Sequence, residues 1–505
     1  IPPIIKFSLI IGGKFVSKIA LNDIFISYRL KISEVFMFVG RERELQKMDG
    51  IIRADRATIG VIYGRRRIGK SELIKKAFEK KRMLIFEGLE NRPKRAQIDA
   101  FIIQLTYQTG HEVKKSNVKS WREAFMILYD YLKDNPAHLA FDEFQWMANY
   151  RHEIVADLKM VWDLYLSKIK GITLILCGSI ASFMIKKVLK SKALYGRTDL
   201  EIHLKGFLLP ETAEMLKNKG SIEVIEAQMM LGGVPKYLNL VMDQPSVHHA
   251  VGELAFTETG YLKGEYERIF TSHFGKRPEY ERTINYLSKH PYGVFRKQVS
   301  EEIDVVPGGG LTEILNNLES AGFISSETPF HKSSNSRLLK YRLSDAYLRF
   351  YFAFIKPNLR KIESGIPKNM FGQINQTGLY FTWMGRAFEY LCMDHVSKIS
   401  EILGFSGIEF TFGPFYESQT RETAGIQVDI VFDRKDNVIT LIEAKYSRNP
   451  IGLSIIQEVE RKVEVLKQKF KRKTIQRVLI SQSEPTKELL ASGYFYRFIT
   501  PDELL

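Results

Sequence analysis

The sequence predicts a multidomain α/β protein whose first domain is built on a sheet of buried strands. Apolar strand-like runs alternate with amphipathic helical segments in the first half of the chain, as in parallel-sheet domains. The second half changes to short helices and hairpins. The chain has 505 residues, of which 45% are hydrophobic and 12% aromatic, so it can bury several cores.

The strongest motif of the first domain lies between a buried strand, Thr58–Tyr63, and a helix that begins near Glu72. It fills every fixed position of the pattern G-x-x-x-x-G-K-[ST] with Gly64, Arg65, Arg66, Arg67, Ile68, Gly69, Lys70 and Ser71. In such a loop, backbone N–H groups surround phosphates, the lysine reaches the β and γ phosphates, and the hydroxyl holds magnesium. The motif therefore predicts binding of ATP and Mg²⁺, with Glu72 next to the site.

Acidic residues follow about seventy residues later, as ATP hydrolysis requires. The apolar run 139–145 is predicted to be a strand that ends in Asp142 and Glu143. We expect Asp142 beside Ser71 on the metal, and Glu143 as the base that faces the attacking water. A further strand over 172–177 ends near Ser179, whose hydroxyl is expected to sense the γ phosphate.

The amino-acid composition limits the classes of molecule that the protein is expected to bind. The formal net charge is +16, which favours a polyanionic partner such as DNA. Two cysteines allow neither a disulfide framework nor a cysteine zinc site, which is typical of a cytoplasmic protein. Charged residues interrupt every apolar run, so no membrane span is expected. Whether the protein forms a homo-oligomer is left open.

The pattern along the chain predicts six segments. They are an N-terminal extension of doubtful nature (1–36) before a natural start expected at Met37, a P-loop ATPase core (37–205), a helical lid (206–276), a winged helix-turn-helix domain (277–350), a linker (351–375) and a C-terminal α/β domain (376–505).

The segment 277–350 is predicted to hold three helices and a two-stranded hairpin. The third helix, over 310–321, would enter the major groove of DNA. The wing residues Lys332, Arg337 and Lys340 would then contact phosphates. Acidic side chains on the exposed face of that helix leave a structural or protein-binding role open.

The C-terminal domain contains a second set of chemical residues. Two predicted strands, over 427–432 and 440–446, form a hairpin that brings Asp429 and Glu443 together, with Lys445 on the same face as Glu443. Two carboxylates can bind a divalent metal, and a nearby lysine can act on the attacking water. Glu389, on a helix upstream, would be a third acid. A solvated charged hairpin is the competing interpretation.

The chain resembles the P-loop ATPases found mainly in archaea, an AAA+-like group related to the STAND signal-transducing ATPases. The resemblance is carried by Phe38-Val-Gly-Arg-Glu-Arg-Glu-Leu, the loop 64–71, Phe141-Asp-Glu-Phe-Gln, Cys177-Gly-Ser, Leu194-Tyr-Gly-Arg-Thr, Gly232-Gly-Val-Pro-Lys-Tyr and Tyr341-Arg-Leu-Ser-Asp-Ala-Tyr. It continues into a C-terminal domain that looks like a PD-(D/E)xK nuclease fold and covers nearly all of 37–505.

The resemblance implies specific roles. Arg197 would be an ATP-sensing or finger arginine, and the turn that ends at Pro235 would lie near the adenine. Glu389, Asp429, Glu443 and Lys445 would be the nuclease acids and lysine, with Glu389, Asp429 and Glu443 as metal ligands. Val428 stands where the motif has proline.

Together these features predict an ATPase that acts on DNA through a metal-dependent nuclease-like domain. The alternative is a STAND-like switch with an inactive C-terminal interaction domain, and a plain transcription factor is disfavoured.

Overall fold

The computed structural model describes residues 38–113, 118–328, 330, 339–366, 368–417 and 425–505. The elements below all belong to one unit, Arg41–Leu505. In these described ranges, no helix is both long enough and apolar enough to cross a membrane. The doubtful extension 1–36 and the wing residues Lys332 and Arg337 lie outside the described residues.

The first domain contains a five-stranded, all-parallel sheet with the order β2-β3-β4-β1-β5. Its strands are β1 (Thr58–Tyr63), β2 (Met83–Glu87), β3 (His138–Asp142), β4 (Thr173–Gly178) and β5 (Leu200–His203). Every residue of β1 and of β4 is buried. Because the strands are parallel, their carboxyl ends lie at one edge of the sheet, where ligands bind in folds of this type. The α/β class predicted from the alternating pattern is confirmed.

The helices of this domain pack an aromatic core against the sheet. Phe86, Phe101, Phe125 and Phe141 are fully buried and contact one another in stacked and edge-to-face pairs. The helices are α1 (Glu42–Ile52), α2 (Lys70–Ala77), α3 (Lys94–Thr109), α4 (Trp121–Leu132), α5 (Phe144–Met147), α6 (Glu153–Leu164) and α7 (Ala181–Phe183), which continues as a π-helix, Met184–Leu189.

A helical lid follows the sheet. Its helices are α8 (Leu209–Met215), α9 (Ser221–Leu231), α10 (Pro235–Met242), α11 (Val247–Ala255) and α12 (Glu265–Phe274). The double glycine ends α9, with Gly232 at φ +68°. Gly233 approaches the backbone so closely that a Cβ there would overlap Phe207. Proline is favourable at the first position of a helix, so Pro235 begins α10, which the sequence pattern did not predict.

The next segment combines three helices with a small antiparallel sheet of order β6-β8-β7. The elements are α13 (Pro278–Ser288), β6 (Val294–Phe295), α14 (Arg296–Ile303), α15 (Gly309–Ser320), β7 (Ile324–Glu327) and β8 (Lys340–Leu343). The helices and the two longer strands occur in the order expected for this segment, and β6 adds a third strand.

The C-terminal domain is built on a mixed five-stranded sheet with the order β13-β12-β11-β10-β9. Its strands are β9 (Phe410–Glu417), β10 (Ile426–Arg434), β11 (Val438–Lys445), β12 (Thr474–Ser481) and β13 (Arg497–Ile499). β10 is antiparallel to both of its neighbours, β9 and β11, whereas β11, β12 and β13 are parallel. The hairpin of β10 and β11 agrees with the predicted one.

Eight helices accompany this sheet or lead into it. They are α16 (Ala346–Phe350), which continues as a π-helix (Tyr351–Ile355) and a 3₁₀ turn (Lys356–Asn358), then α17 (Leu359–Glu363), α18 (Met370–Ile374), α19 (Gly378–Asp394), α20 (Val396–Ile402), α21 (Ser454–Lys469), α22 (Lys487–Ala491) and α23 (Pro501–Leu504). Buried residues of α21, such as Val459 and Val463, pack on Val431 and Leu441 of the sheet.

Candidate nucleotide site and C-terminal acid–lysine cluster

The loop Gly64–Ser71, called the phosphate loop below, joins β1 to α2 at the carboxyl edge of the first sheet. Gly64 has φ +154°, and a Cβ there would overlap the carbonyl oxygen of Leu204. Gly69 has φ +85° and precedes the first residue of α2. Both positions need backbone conformations that glycine adopts without steric cost. The loop therefore turns sharply and presents the N-terminus of α2 toward the edge where a phosphate would bind.

Lys70 is held inside this loop. Its ammonium group donates to the carbonyl oxygen of Gly64 at 3.0 Å and to that of Arg65 at 2.9 Å. Only 5% of the residue is exposed. To reach the phosphates of a nucleotide, the ammonium must exchange these carbonyl contacts for phosphate oxygens, which carry more negative charge.

Ser71 and Asp142 lie side by side. The Ser71 hydroxyl donates to Oδ2 of Asp142 at 2.5 Å, and the backbone N–H of Glu143 donates to Oδ1 at 2.9 Å. Asp142 is the last residue of β3, so the parallel sheet places it at the same edge as the phosphate loop. The structure thus brings together the hydroxyl and the carboxylate that the sequence assigned to magnesium.

Glu143 adjoins the end of β4. Its Oε2 atom accepts hydrogen bonds from the hydroxyl of Ser179 at 2.6 Å and from the backbone N–H of Ser179 at 3.2 Å. The Gln145 amide donates to the same oxygen at 2.5 Å and to the Ser179 hydroxyl at 3.0 Å. Glu143 has φ +48°, in the left-handed region, which turns its side chain away from the strand direction. Gln145 is fully buried, and the sequence pattern did not single it out.

A third carboxylate, that of Glu87, lies at the same edge of the sheet. Glu87, at the end of β2, pairs across the sheet with Asp142. Burial raises the pKa of Glu87, and the nearby charges of Asp142 and Glu143 raise it further. Such clustering of acids is favourable where a cation binds.

The side chains of the three arginines of the phosphate loop contact different parts of the chain. Arg66 lies 3.8 Å from Glu90 and over the ring of Trp146 at 5.3 Å. Arg65 forms an ion pair with Asp345, and Arg67 forms one with Glu265. The sequence pattern assigned these arginines to the nucleotide site only as members of the loop. It gave no sign of their acidic partners.

Arg41 supports the loop from the other side. Its guanidinium donates to the carbonyl oxygen of Ile68 at 3.3 Å and to that of Lys205 at 2.7 Å. Burial lowers the pKa of Arg41, while Glu211 and Glu44 raise it. The sequence motif that contains Arg41 was noted, but its structural role was not predicted.

The lid contacts the loop at the start of α10. The backbone N–H of Lys236 donates to the carbonyl oxygen of Arg67 at 3.5 Å, so Pro235 lies next to the phosphate loop. This places the lid turn beside the nucleotide site. The position of the adenine stays a prediction. Glu72, in the first turn of α2, is exposed and pairs with Lys75 at 2.8 Å.

Arg197 does not contact the phosphate loop in this structure. Its guanidinium forms two hydrogen bonds with Asp163, at 2.7 Å and 2.9 Å, and donates to the carbonyl oxygen of Ala193 at 3.1 Å. These bonds lower the pKa of Asp163 and raise that of Arg197. A sensing or finger role would require this fork-shaped pair to open, so that role stays a prediction.

The C-terminal domain contains an acid–lysine cluster formed by Glu389, Asp429, Glu443, Lys445, Glu458 and Lys462. Glu443 lies at its centre and is 1% exposed. Lys445 contacts one carboxylate oxygen of Glu443 at 2.8 Å, and Lys462 of α21 contacts the other at 2.6 Å. Glu458 joins both lysines, at 3.0 Å and 3.5 Å. Lys462 and Glu458 were missed because their part of the chain carries no motif.

Asp429 and Glu389 lie near Glu443 as electrostatic neighbours. Burial, followed by the charges of Glu443 and Glu389, raises the pKa of Asp429 to about 8. Burial and Glu443 also raise the pKa of Glu389. Oδ2 of Asp429 accepts the backbone N–H of Ala444 at 2.9 Å. These residues were predicted to act together; Glu443 is buried, and Glu389 and Asp429 are half-buried.

The predicted ligation of a metal by Glu389, Asp429 and Glu443 stays a prediction. Within the described ranges, no three His, Cys, Asp or Glu side chains are grouped so that they could hold a metal ion. The physical reason lies in the two ammonium groups, which occupy both oxygens of Glu443. Metal ligation by Glu389, Asp429 and Glu443 would require at least one lysine to move.

The predicted DNA-contacting wing is described only at Lys340. Its ammonium group lies over the rings of Phe295 at 5.4 Å and Tyr416 at 5.3 Å. Tyr416 belongs to β9, so Lys340 lies against the C-terminal domain as well as on its own sheet. On α15, Glu313 and Asn317 contact Lys186 of the π-helix at 3.6 Å and 3.1 Å.

Comparison with known proteins agrees with the geometry of the first site. Residues 38–241 match a family described as an ATPase domain predominantly from Archaea, and residues 351–464 match a family of archaeal and bacterial proteins of unknown function. An uncharacterized protein of Methanocaldococcus jannaschii is 26% identical over 370 residues, which cover 72% of this chain and 79% of that protein.

Two further proteins are similar to parts of the chain. An uncharacterized ATP-binding protein of Methanocaldococcus jannaschii is 41% identical over 49 residues, which are 10% of this chain and 83% of that protein. The structure of a Walker-type ATPase of Pyrococcus abyssi aligns with a TM-score of 0.46 and 18% identity, over 62% of this chain and 96% of that one. Residues 38–241 are thus similar to a predominantly archaeal family of ATPase domains, and residues 351–464 are similar to a family of unknown function.

Proposed function

We propose that this protein hydrolyses ATP with Mg²⁺ at the phosphate loop and that its nucleotide state governs action on DNA. The observation that carries the first part is the contact of 2.5 Å between the Ser71 hydroxyl and the Asp142 carboxylate, beside the buried Lys70. These three side chains are the ones that a P-loop ATPase directs at the metal and the phosphates.

The oxygen atoms of Ser71 and Asp142 fit Mg²⁺, which prefers hard oxygen ligands from one or two protein groups and takes the rest from water and phosphate. A bound Mg²⁺ would neutralise charge on the phosphates during transfer. Lys70 would bind the β and γ phosphates once it leaves the loop carbonyls.

Glu143 is the proposed base. Its three hydrogen bonds from Ser179 and Gln145 all go to Oε2, which fixes the carboxylate in one orientation. A carboxylate held in this way can orient and deprotonate an attacking water without reorganising. Ser179 would report the state of the γ phosphate through its contact with Glu143.

For the ATP site, the test is nucleotide binding by titration calorimetry. Lys70→Ala is expected to abolish tight ATP binding, because it removes the ammonium directed at the phosphates. Lys75→Ala, an exposed lysine on the same helix, is the matched control and should bind as the wild type does. Unchanged affinity in Lys70→Ala would contradict the proposal.

Action on DNA is supported by two features, the net charge of +16 and the acid–lysine cluster. We propose that the cluster cleaves phosphodiester bonds with a divalent metal. Asp429 and Glu443 would hold the metal, Glu389 would assist, and Lys445 would act on the water or the phosphate.

A specific observation favours the second candidate, a regulatory switch whose C-terminal domain only binds a partner. Both oxygens of Glu443 are already engaged by lysines, and a buried acid neutralised in this way can be purely structural. In that case ATP binding would control assembly, and no DNA would be cut.

Manganese-dependent cleavage of several DNA forms separates the two candidates. Asp429→Ala and Glu443→Ala should each remove cleavage, and Lys445→Ala should lose cleavage while manganese binding is retained. Asp433→Ala, on the same strand as Asp429, is the control. ATP turnover should survive all four changes. If the wild type binds no metal outside its ATP site and cuts no DNA form, the nuclease proposal is wrong and the regulatory switch is the better account.

A further inference from the structure

Two loop arginines pair with carboxylates far along the chain. The partners of Arg65 and Arg67 are Asp345, at the start of α16, and Glu265, the first residue of α12. The Asp345 side chain is 5% exposed and that of Glu265 is 0% exposed. Both acids lie outside residues 38–241, the part that matches the ATPase family.

Asp345 and Glu265 are each held by further contacts, so each can fix the position of its arginine and serve as an anchor. Oδ1 of Asp345 accepts the backbone N–H of Leu348 at 2.8 Å, which caps α16 and leaves Oδ2 for Arg65. Glu265 accepts the hydroxyl of Tyr237 at 2.7 Å and lies 3.3 Å from Arg268. A buried carboxylate is costly without a cation, so removal of Arg65 leaves Asp345 with an unfavourable charge, and removal of Arg67 leaves Glu265 with Arg268 as its remaining cation.

The backbone of Arg67 indicates that its side chain is needed. Arg67 has φ +73°, a left-handed conformation that costs energy for any residue other than glycine. Such strain persists only where the surroundings impose it. Glycine would fit this position more easily, yet the residue here reaches Glu265 and stacks over Tyr261 at 5.1 Å.

The same arginines belong to the backbone that would surround the phosphates. The carbonyl oxygen of Arg65 accepts from the Lys70 ammonium at 2.9 Å, and the carbonyl oxygen of Arg67 accepts from the N–H of Lys236. The guanidinium of Arg65 also lies over the Tyr237 ring at 6.0 Å. A shift of either side chain would therefore move the loop carbonyls and Lys70.

We propose that Asp345 and Glu265 are positioning residues of the ATP site, which act by holding Arg65 and Arg67 and thereby fix the phosphate loop. The site is then completed by segments beyond the ATPase domain itself. This inference rests on the proposed ATP binding and adds the residues that shape the loop.

The experiment measures the affinity of the full chain for ATP and the kcat and KM of hydrolysis. Asp345→Asn removes the charge of the carboxylate but keeps a side-chain oxygen that caps α16. Glu265→Gln removes the charge of Glu265 and keeps an oxygen for the Tyr237 hydroxyl. Each is expected to weaken ATP binding about tenfold or more, since the loop loses one fixed support. Glu267→Gln, an exposed acid on the same helix as Glu265, is the control and should bind normally.

A double-variant cycle shows whether Asp345 acts through Arg65. Arg65→Met combined with Asp345→Asn should bind ATP no more weakly than Arg65→Met alone, because both changes break the same link. Additive losses would overturn the inference, as would wild-type affinity in both single variants. A merely structural role would not produce this non-additivity in ATP affinity.

If Asp345→Asn does not fold, Arg65→Met alone tests the link to Asp345, and Arg67→Gly tests the link to Glu265. Glycine relieves the left-handed strain, which offsets part of the cost of losing the ion pair with Glu265, and ATP affinity should fall. Retained affinity in Arg67→Gly would overturn the role of Glu265. A wild type that binds no ATP would refute the proposed function instead. Loss of binding only in Lys70→Ala would leave that function standing and refute this inference.

Discussion

Burial decides the charge of individual side chains near the nucleotide site. His273 of α12 is half-buried, and its Nδ1–H donates to the carbonyl oxygen of Ile269 at 2.8 Å. Its Nε2 atom has no hydrogen-bond partner among the described residues. Burial lowers the pKa of His273 to about 4, and the positive charges of Arg65, Lys70 and Arg66 add to this effect. The imidazole is therefore neutral in the folded protein at neutral pH.

This neutral histidine predicts a pH-dependent stability. An unfolded histidine titrates near pH 6.5, so the unfolded chain takes up a proton that the folded chain refuses. The stabilising contribution is complete above that pH and is lost as the pH falls toward the folded pKa. Between pH 6.5 and pH 5 the free energy of unfolding should drop about 2 kcal/mol more in the wild type than in His273→Gln. Urea denaturation at several pH values measures this difference in the free energy of unfolding.

The control for this prediction is His111→Gln, which changes an exposed histidine. Its stability should follow the wild type across the same pH range. Parallel curves for the wild type and His273→Gln would show that His273 is not kept neutral by burial.

At the scale of elements, the position of α21 on the C-terminal sheet depends on a charge contact. Lys462 is 11% exposed and lies 2.6 Å from the buried Glu443. Lys462→Met should destabilise the protein by about 1–3 kcal/mol, because a buried carboxylate loses one of its two cations. Lys467→Met removes an exposed lysine of the same helix, 59% exposed and 3.6 Å from Glu460, and should cost less than about 0.5 kcal/mol.

Thermal denaturation of both variants checks this expectation. Equal midpoints for Lys462→Met and Lys467→Met would show that the contact with Glu443 contributes nothing to the packing of α21. A midpoint lowered only in Lys462→Met would agree with the buried pair.

Elements whose signal is local were predicted from the sequence. The strand Thr58–Tyr63 has the predicted bounds, and the helix expected over 310–321 spans Gly309–Ser320, because apolar spacing and flanking residues specify them. The edge strand Phe410–Glu417 was missed, since most of its side chains are partly or fully exposed and show no clean alternation. Helix α10 was missed because a Gly-Gly-Val-Pro run is more often a turn.

The candidate site also divides into residues that a local motif predicts and residues that it does not. The phosphate loop and its acids form short motifs, so Lys70, Ser71 and Asp142 could be named in advance. The partner of Arg65 is 280 residues away along the chain, and Lys462 is 19 residues from Glu443 on a helix without a motif. Such pairs arise only from tertiary packing. Arg197 was assigned to the ATP site by resemblance. Its partner in the structure, Asp163, lies on the neighbouring helix α6.

At the scale of the whole molecule, the positive charge predicts salt-sensitive binding of duplex DNA. Each phosphate contact releases counterions, so log affinity should fall linearly with log salt. The combined change of Lys332, Arg337 and Lys340 to Ala should reduce that slope by about 0.9 for each phosphate contact that is lost. Fluorescence anisotropy over a range of salt concentrations measures it.

An unchanged slope in this triple variant would move the DNA site elsewhere. The basic stretch 467–477 is then the next candidate, and alanine changes at its exposed Lys471 and Arg472 would be compared in the same assay. A protein that binds no DNA at low salt would refute the proposed partner class altogether.

The most direct test of the central claim is ATP turnover by the full chain with Mg²⁺, wild type against Glu143→Gln. The variant should still bind ATP, because Ser71, Asp142 and Lys70 are unchanged, but its turnover should fall by about a hundredfold or more once the base is removed. Glu79→Gln, an exposed acid just after α2, should hydrolyse ATP at the wild-type rate. Equal turnover in the wild type and Glu143→Gln, or no turnover in the wild type, would contradict ATP hydrolysis at this site.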